Sequence, residues 1–311
     1  MPLGNPSLTN CYTPSLKLPI PKNEFNDPSK RPFGDGTSET RSSKSIRRLY
    51  LDRSVLSSSS GSSLVELGHT KVLCSVHGPR PSTSSSLSTG GGKEFHSSGV
   101  LNCELRFAPT FGIRPETTVI TTPTNLDGFS SSAGSGGGTS AQEIELSSRL
   151  HDAISPSIPL ELLMKSVVDV FVMVLQDDGS VFAASVIAAS MALADAGIEI
   201  YDLVSACSVA IVPRGVETKE KKVDDGDSIR NVDGKKTGFN LLVDPVENEL
   251  LDSKGVVTLA MMPNWKEVTF WDQTGLLPPH ISSDAAELCR DGCNTMNKFM
   301  KQSLTGNLNQ S

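Results

Sequence analysis

The segment from Val168 to Cys207 constrains the fold of this chain more than any other stretch of the sequence. Asp169 to Leu175 reads DVFVMVL, a near-continuous run of apolar and β-branched residues, which is typical of a strand covered on both faces. A polar turn from Gln176 to Ser180 follows, and then an alanine-rich stretch from Val181 to Ala196 with one charge. The segment therefore predicts a strand, a tight turn, a mostly buried helix and a second strand.

The two ends of this predicted helix carry capping signals. Asp178 or Ser180 is placed to cap its N-terminus through a side-chain oxygen. Gly197 follows the last helical residue, where a glycine commonly ends a helix in the left-handed conformation. The helix is rich in alanine and serine, so another backbone can pack closely against it.

Two segments carry a resemblance to a known family. The first keeps Leu175-Gln176, Asp178 and the run Ala192 to Gly197, which reads ALADAG. The second, Gly61 to Arg80, fits the framework Gly-Ser…Gly-x-Thr-x-Val…Gly-Pro. These patterns resemble the RNase PH family, the phosphorolytic exoribonucleases and their relatives in the RNA exosome ring. In the second framework, the glycines are expected to allow tight hairpins between short antiparallel strands.

The resemblance extends over about residues 31–302 and implies an α+β fold. This is the RNase PH-like fold, of the ribosomal protein S5 domain 2-like kind, in which mixed sheets pack with helices. Residues 1–30 are polar and proline-rich and predict a disordered N-terminal tail, and residues 303–311 form a C-terminal tail. Low-complexity insertions are expected near 82–92, 117–140 and 214–238.

Apolar patterning places further elements on both sides of the central segment. We expect Phe239–Val243 and Val256–Met262 to be paired strands. The remaining predictions are strands at Ile46–Leu51, Ser63–Gly68, Thr70–Pro79 and Gly99–Pro109, and helices at Ala141–Ile154 and Asp284–Leu304.

Composition narrows the class of protein. The formal net charge of −7 argues against a free-standing nucleic-acid binder, which normally shows a basic face. The cysteines lie mostly in apolar patterns and fit a reducing compartment. Cys289 and Cys293 are four apart on the last helix, but no second close pair or suitable histidine spacing accompanies them, which favours an ordinary helix face over a metal site. We predict no signal peptide, membrane span, metal or cofactor.

The resemblance also implies where catalytic groups would lie. Active members carry Gly-Thr-Arg at the start of the central helix, where its backbone and arginine hold the attacking phosphate. This chain has Ser180-Val181-Phe182 there, and an apolar ring cannot replace a guanidinium. Of the family's two carboxylates, six residues apart, the first falls on Asp244 and the second on Leu250. Glu249 is adjacent to Leu250 but, on a helical turn, is expected to point about 100° away.

A second arginine of active members belongs to the helix around residues 144–154. The matching positions are His151 or Asp152, and neither is arginine. An aspartate near a phosphate site would repel the substrate, whereas a single histidine on a helix face is usually polar surface. We therefore expect no catalytic residues and regard Asp244, Leu250, Phe182, His151 and Asp152 as vestigial positions.

These expectations combine into a functional hypothesis. The chain resembles the catalytically silent ring subunits of the mRNA-transport-regulator type in the eukaryotic exosome. The resemblance implies a structural, non-enzymatic subunit that supports 3′-to-5′ RNA processing and degradation, rRNA included, in the nucleus, nucleolus and cytoplasm. Its expected partners are other RNase PH-like ring subunits, RNA-binding cap subunits and RNA inside the complex, with no membrane. Strand edges and the helix 181–196 are expected to support the subunit interfaces.

Two alternatives stay open at the level of sequence. One is an active phosphate-dependent 3′-to-5′ exoribonuclease, and the other is a free RNA-binding protein, against which the acidic charge counts. If the chain contacts RNA, we expect sequence-independent phosphate contacts from Arg80, Arg106 and Arg114, which flank loop ends that would face a channel. Solvated surface arginines are an equally good interpretation of these three residues.

Overall fold

The computed structural model describes residues 31–32, 40–81, 98–108, 140–213 and 239–306. Two larger sheets and four α-helices make up this part of the chain, with a two-residue strand pair, β1 (Arg31–Pro32) and β2 (Thr40–Arg41), before them. The predicted N-terminal tail, most of each predicted insertion, Cys11 and Arg114 lie outside the described residues. One mixed sheet and one antiparallel sheet, packed with helices, agree with the α+β architecture expected from the sequence.

The N-terminal sheet has five strands in the order β3-β4-β5-β7-β6. Only β6 and β7 run parallel, and the other neighbours are antiparallel. One face alternates into the core, as the valines and cysteine of β5 show, and the other faces outward. The strands are β3 (Leu49–Arg53), β4 (Gly61–Leu67), β5 (Thr70–Pro81), β6 (Val100–Phe107) and β7 (Ser166–Gln176).

The C-terminal sheet is antiparallel, with the order β11-β10-β8-β9. The prediction that Phe239–Val243 and Val256–Met262 pair with each other was wrong, because both pair with β8, which lies between them. The seven residues from Ser205 to Ile211 are all buried, so β8 needs a neighbour on each side. The strands are β8 (Ser205–Pro213), β9 (Phe239–Val243), β10 (Gly255–Met262) and β11 (Glu267–Thr274).

The helices separate and cover the two sheets. They are α1 (Ala141–Ile154), α2 (Val181–Asp195), α3 (Glu247–Leu251) and α4 (Pro279–Gly306). α1 and α2 share one core with the inner face of the N-terminal sheet, and Ala206, Ala260 and Met262 of the C-terminal sheet join it. α4 covers the far face of the C-terminal sheet. The layers therefore run sheet, helices, sheet, helix.

Helix α2 lies inside the chain, not on an interface as predicted. Every residue from Ala183 to Leu193 is buried by this chain alone. Its small side chains let it approach β4 closely, and the Ser63 hydroxyl donates to the Ala188 carbonyl at 2.6 Å. The same small residues that suggested a contact with another subunit therefore set the spacing between the layers.

The predicted cap is present at the C-terminal end of α2 but not at its N-terminal end, and α1 has a cap that was not predicted. Ser140 caps α1 in a reciprocal arrangement with Glu143, and Gly197 takes a φ of +70° after α2. The capping of α2 by Asp178 or Ser180 was wrong. Ser180 holds the N-cap position with a φ of +55° and makes no capping bond, because its hydroxyl donates instead to the Pro245 carbonyl at 3.2 Å.

The described part of the chain shows where five cysteines lie and whether any helix could span a membrane. Cys74, Cys207, Cys289 and Cys293 are buried in the two cores, and Cys103 is partly buried. The Cys289 and Cys293 thiols point to backbone carbonyls of β10, Val257 and Leu259. Among the described residues, no helix combines the length and apolarity needed to span a membrane.

Gly61 is required for packing and not for a hairpin turn. A Cβ atom at this position would lie 2.3 Å from the Ala196 nitrogen and 2.4 Å from the Ala192 carbonyl oxygen, at the end of α2. Both atoms belong to backbone and cannot move aside as a side chain would. The close approach of β4 to α2 therefore excludes any side chain at residue 61.

We predict that Gly61→Ala lowers the free energy of unfolding by roughly 1–3 kcal/mol, the range for overpacking in a core. Gly197→Ala is the matched control, since a Cβ atom there meets nothing within 4 Å. That control should cost about 1–2 kcal/mol from its left-handed backbone alone. Urea unfolding followed by circular dichroism measures both, and a stability of Gly61→Ala equal to that of the wild type would contradict the packing argument.

Candidate functional site

The position of the family's first carboxylate, Asp244, is buried and paired with an arginine of the same chain. Asp244 directly follows β9, adopts a φ of +53° and is 2 % exposed. The Arg47 side chain binds both carboxylate oxygens, with Nε 2.9 Å from Oδ2 and Nη2 2.7 Å from Oδ1. The Arg47 backbone N–H adds a third bond to Oδ2 at 3.0 Å. This bidentate geometry is the strongest form of an arginine–carboxylate contact.

Arg47 also holds the loop before α2. Its Nη1 donates to the Asp178 carbonyl at 2.8 Å and its Nη2 to the Gly179 carbonyl at 3.1 Å. A longer contact of 3.4 Å reaches the Thr70 hydroxyl, which itself donates to the Gly179 carbonyl. All five N–H donors of the guanidinium are thereby engaged. One side chain connects the segment before β3, the end of β9 and the start of α2.

A second arginine, Arg41, brings another carboxylate into the same cluster. Its Nη2 donates to the Asp244 carbonyl at 2.7 Å and lies 3.4 Å from Oε2 of Glu249, and its Nη1 is 3.6 Å from Oδ2 of Asp244. The prediction that Glu249 points away was therefore wrong. Glu249 is the third residue of α3, and its carboxylate turns back to accept the Val246 N–H at 3.0 Å, beside Asp244.

We name these five residues the arginine–carboxylate cluster: Arg41, Arg47, Asp178, Asp244 and Glu249. Burial alone would raise the pKa of Asp244, but Arg47 and Arg41 outweigh it and hold the pKa below its ordinary value. Burial would likewise lower the pKa of Arg47, yet the adjacent Asp244 raises it overall. Burial raises the pKa of Asp178, which is half-buried and only 3.6 Å from Arg47. Asp244 is therefore a fixed anion and not a free base.

Leu250 and Phe182 occupy the other two family positions as apolar groups. Leu250 is partly buried on α3 and supplies no carboxylate. The Phe182 ring, in the first turn of α2, packs against Phe270 of β11 with ring centroids 5.0 Å apart. At the position where the resemblance implies a phosphate-holding arginine, this contact links α2 to the C-terminal sheet.

The structure does not bring His151 and Asp152 to the cluster. Both lie toward the C-terminal end of α1, partly or fully exposed, and His151 Nδ1 is 3.4 Å from an oxygen of Asp152. Arg149 in the same helix pairs instead with Asp272 of β11 at 2.7 Å. Within the described residues, no group of three or more His, Cys, Asp or Glu side chains is arranged to hold a metal ion.

Two of the three arginines proposed for RNA contact, Arg80 and Arg106, already have acidic partners. Arg80, near the end of β5, pairs with Asp169, which is 4 % exposed, and Arg106 on β6 pairs with Glu104. Arg114 lies outside the described residues. Each described arginine offers less net positive charge to RNA than the sequence suggested, and the RNA contact stays a prediction.

Sequence reasoning missed Arg41, Arg47 and the role of Glu249. The only signal for the arginines was their position before the first long strand, far in sequence from the carboxylates they bind: 203 residues separate Arg41 from Asp244. A buried Asp244 in turn needs a cation close by, so a search for partners of that carboxylate would have led to them.

Comparisons with known proteins agree with the fold and its family. A family model described as "3′ exoribonuclease family, domain 1", of the RNase PH type, matches residues 45–199. The exosome complex component RRP41-like of Arabidopsis thaliana is 30 % identical over 95 % of this chain and 93 % of its own length. MTR3 of Mus musculus, also an exosome complex component, is 30 % identical over 87 % and 86 %. Rice Rrp46 shares the fold, with a TM-score of 0.62 at 18 % identity over 85 % of this chain and 98 % of its own.

We predict that Asp244→Asn lowers the free energy of unfolding by about 3–5 kcal/mol, because it leaves the buried Arg47 guanidinium without its main anion and Arg41 with Glu249 alone. Asp152→Asn, on the exposed face of α1, is the matched control and should change stability by less than about 0.5 kcal/mol. Urea unfolding at pH 7 compares the two variants, and equal stabilities would show that the cluster contributes nothing.

The pH dependence of the same variant gives an independent readout. A carboxylate with a lowered folded pKa contributes stability above its unfolded pKa, about 3.9, and loses that contribution as the pH falls through its folded value. The wild type should therefore lose stability below about pH 4, whereas Asp244→Asn should show a smaller loss over this range. Parallel pH profiles would contradict the assignment of an ionised Asp244.

Proposed function

This chain belongs to the RNase PH family, and we propose that it serves as a non-catalytic structural subunit of an RNA exosome core ring. In this role it would support 3′-to-5′ RNA processing and degradation, and RNA would pass through the ring to a nuclease elsewhere. Its partners would be other RNase PH-like ring subunits and RNA-binding cap subunits, in the nucleus, nucleolus and cytoplasm. The names of its relatives, which are exosome complex components, support the assembly part of this proposal.

The observation that most supports this proposal is the pairing of the buried Asp244 carboxylate with two arginines. Phosphorolysis needs groups that stabilise charge on the reacting oxygens, through a carboxylate free to bind a metal or move a proton. Here both Asp244 oxygens accept bonds from Arg47, and Arg41 lies between Asp244 and Glu249. The retained carboxylates are neutralised internally, so they are not available to a metal or to substrate.

The phosphate side of the site supports the same proposal. The attacking phosphate needs cationic, bidentate donors, whereas the start of α2 presents Phe182 packed on Phe270. The absence of a cation at Phe182 on α2 and the pairing of Asp244 with Arg47 after β9 are independent features. Together they favour the structural subunit over the active exoribonuclease, which is the second candidate function. The relatives carry both RRP41 and MTR3 names at 30 % identity, so the type of ring subunit rests on the residues and not on similarity.

We predict no phosphorolysis by the purified chain. Incubation with single-stranded RNA, inorganic phosphate and Mg²⁺ should release no nucleoside diphosphates above the level of a reaction without phosphate, as separated by chromatography. A bacterial RNase PH in parallel reactions verifies the assay. Phosphate-dependent release of nucleoside diphosphates would overturn the non-catalytic assignment, and its loss in Glu249→Gln would place the activity at this cluster.

We predict that the native chain resides in a multi-subunit particle. A tagged chain expressed in its own cells should elute near the size of a multi-subunit complex, and mass spectrometry should identify several RNase PH-like partners. A chain that elutes alone, without RNase PH-like partners, would refute the ring proposal. The same proposal includes contact between RNA and Arg80, Arg106 or Arg114 inside that particle. The ion pairs of Arg80 and Arg106 do not support this contact.

A further inference from the structure

Two exposed aromatic side chains meet at the turn between β10 and β11. Trp265 lies in this turn, residues 263–266, and is 56 % exposed, and Tyr201, in the loop after α2, is 54 % exposed. Their ring centroids are 5.8 Å apart and the ring planes are tilted by 54°. Part of each ring therefore stays open to solvent although the two rings contact each other, an arrangement typical of a binding surface.

Hydrogen bonds fix the backbone beside both rings. Asp202, which follows Tyr201 and is 6 % exposed, accepts bonds from the backbone N–H and the side-chain amide of Asn264 at 2.8 and 2.7 Å. Asn264 directly precedes Trp265, so this link joins the neighbours of the two rings. The Tyr201 N–H donates to the Ser157 carbonyl at 2.8 Å. The rings are therefore positioned before a ligand binds, which lowers the entropic cost of binding.

Two exposed lysines accompany the aromatic pair. Lys266 directly follows Trp265 in the turn, and Lys301, on α4, donates from Nζ to Oδ1 of Asn264 at 2.8 Å. A lysine therefore follows the tryptophan in the chain, and another contacts the residue before it. Among the described residues, neither lysine forms an ion pair with a carboxylate. Their positive charges are available to an anionic ligand that also contacts the rings.

Three carboxylates close to the pair in sequence set a limit on the affinity for an anion. The Asp202 oxygens are turned inward and accept bonds from Asn264 and from the Leu203 N–H. Glu199, in the loop after α2, and Glu267, the first residue of β11, are exposed. Exposed charges are screened by salt, so these two glutamates weaken the binding of an anion without preventing it. We therefore expect a weak site.

We propose that Tyr201 and Trp265 form a stacking site for single-stranded RNA, with phosphate contacts from Lys266 and Lys301; the choice of RNA as ligand rests on the proposed function. Every base has a flat π-face that stacks on an aromatic ring, independently of sequence. Because the rings are tilted by 54°, one flat base cannot stack on both. Each ring takes a base of its own, which requires an unpaired, flexible strand.

This stacking site is separate from the arginine–carboxylate cluster. The cluster holds the loop before α2, whereas Tyr201 lies in the loop that follows the other end of the helix. At 1.5 Å per residue, the 15 residues of α2 span about 22 Å. RNA at the stacking site would therefore not reach the family's reacting positions through the same nucleotides.

The first test uses the intrinsic fluorescence of the purified full-length chain. The chain has two tryptophans, so Trp271→Phe leaves Trp265 as the only indole. Titration of this variant with a short oligo(A) at about 50 mM salt should quench the Trp265 emission, because a stacked base contacts the indole. An abasic oligomer of the same length carries the same phosphates without bases and should quench far less. An RNA duplex, whose bases already stack on each other, should also quench far less.

The second test measures binding of fluorescein-labelled oligo(A) by anisotropy. Trp265→Ala and Tyr201→Ala should each weaken binding about tenfold, the effect of losing one stacked base. Trp271→Ala is the matched control, since Trp271 is 42 % exposed on the same hairpin, and it should leave binding unchanged. Lys266→Gln and Lys301→Gln should each lower the slope of log K against log salt by about 0.7. Circular dichroism confirms that each variant is folded.

Several outcomes would overturn the stacking site. Absence of quenching up to about 1 mM oligo(A) is one. Equal quenching by the abasic oligomer is another, because the contact would then be to phosphates alone. Equal binding by Trp265→Ala and Trp271→Ala would place the RNA elsewhere. If RNA does not bind and Trp265→Ala loses a protein partner in cells that Trp271→Ala keeps, the pair is a protein contact and the RNA proposal is wrong.

The ring proposal is judged by a different measurement. A multi-subunit particle in cells, together with no RNA binding by the purified chain, would refute the stacking site alone. Quenching by oligo(A) without such a particle would refute the ring alone.

Discussion

The burial of Asp244 is the constraint on which the centre of this structure depends. A carboxylate that is 2 % exposed is costly unless it is paired and hydrogen-bonded, and the chain meets this requirement with the segment 41–47. In that segment Ile46 packs against both cores, and the two arginines at its ends bind the carboxylates. The pairing therefore joins the beginning of the described fold to its second half, where β9 ends.

Charge balance explains the different behaviour of the three carboxylates. The cluster holds two guanidinium groups, and Arg47 commits its best geometry to Asp244. Asp178 keeps 22 % of its side chain exposed and contacts Arg47 at 3.6 Å, so burial dominates and its pKa rises. The two guanidinium groups therefore neutralise Asp244 and Glu249, and Asp178 is the more weakly paired carboxylate. An additional divalent cation would have to displace Arg47 or Arg41 from the carboxylates that they neutralise.

The sequence predicted most local elements because their residues determine them locally. Helix α1 has the predicted bounds, and α2 and the strands around it follow from alternation and apolar spacing. β11 was missed because it is an edge strand whose exposed residues alternate poorly, with Glu267, Gln273 and Thr274 among them. The pairing of β9 and β10 with β8 was also missed, since strand order depends on long-range contacts that no local pattern records.

For the site too, features that depend on one residue could be predicted from the sequence, whereas contacts between distant residues could not. The sequence has apolar residues at Phe182 and Leu250, where the resemblance implies a cation and a carboxylate, and single positions are enough to read this difference. What these positions do instead was not readable, because Phe270 and Arg47 are distant in sequence from Phe182 and Asp244. Patterns within one segment cannot reveal a partner in another.

Phe182 and Asp244, the positions at which the resemblance implies reacting groups, link separate layers of the fold. Phe182 connects α2 to the C-terminal sheet, and Asp244 connects β9 to the loop before α2 through Arg47. A substitution that restored a catalytic cation at residue 182 would remove an aromatic contact, and one that freed Asp244 would leave buried charges unpaired. Both substitutions would therefore destabilise the protein, so stability favours keeping these contacts. Under the proposed non-catalytic role, Phe182 and Asp244 would contribute to the stability of the fold and not to a reaction.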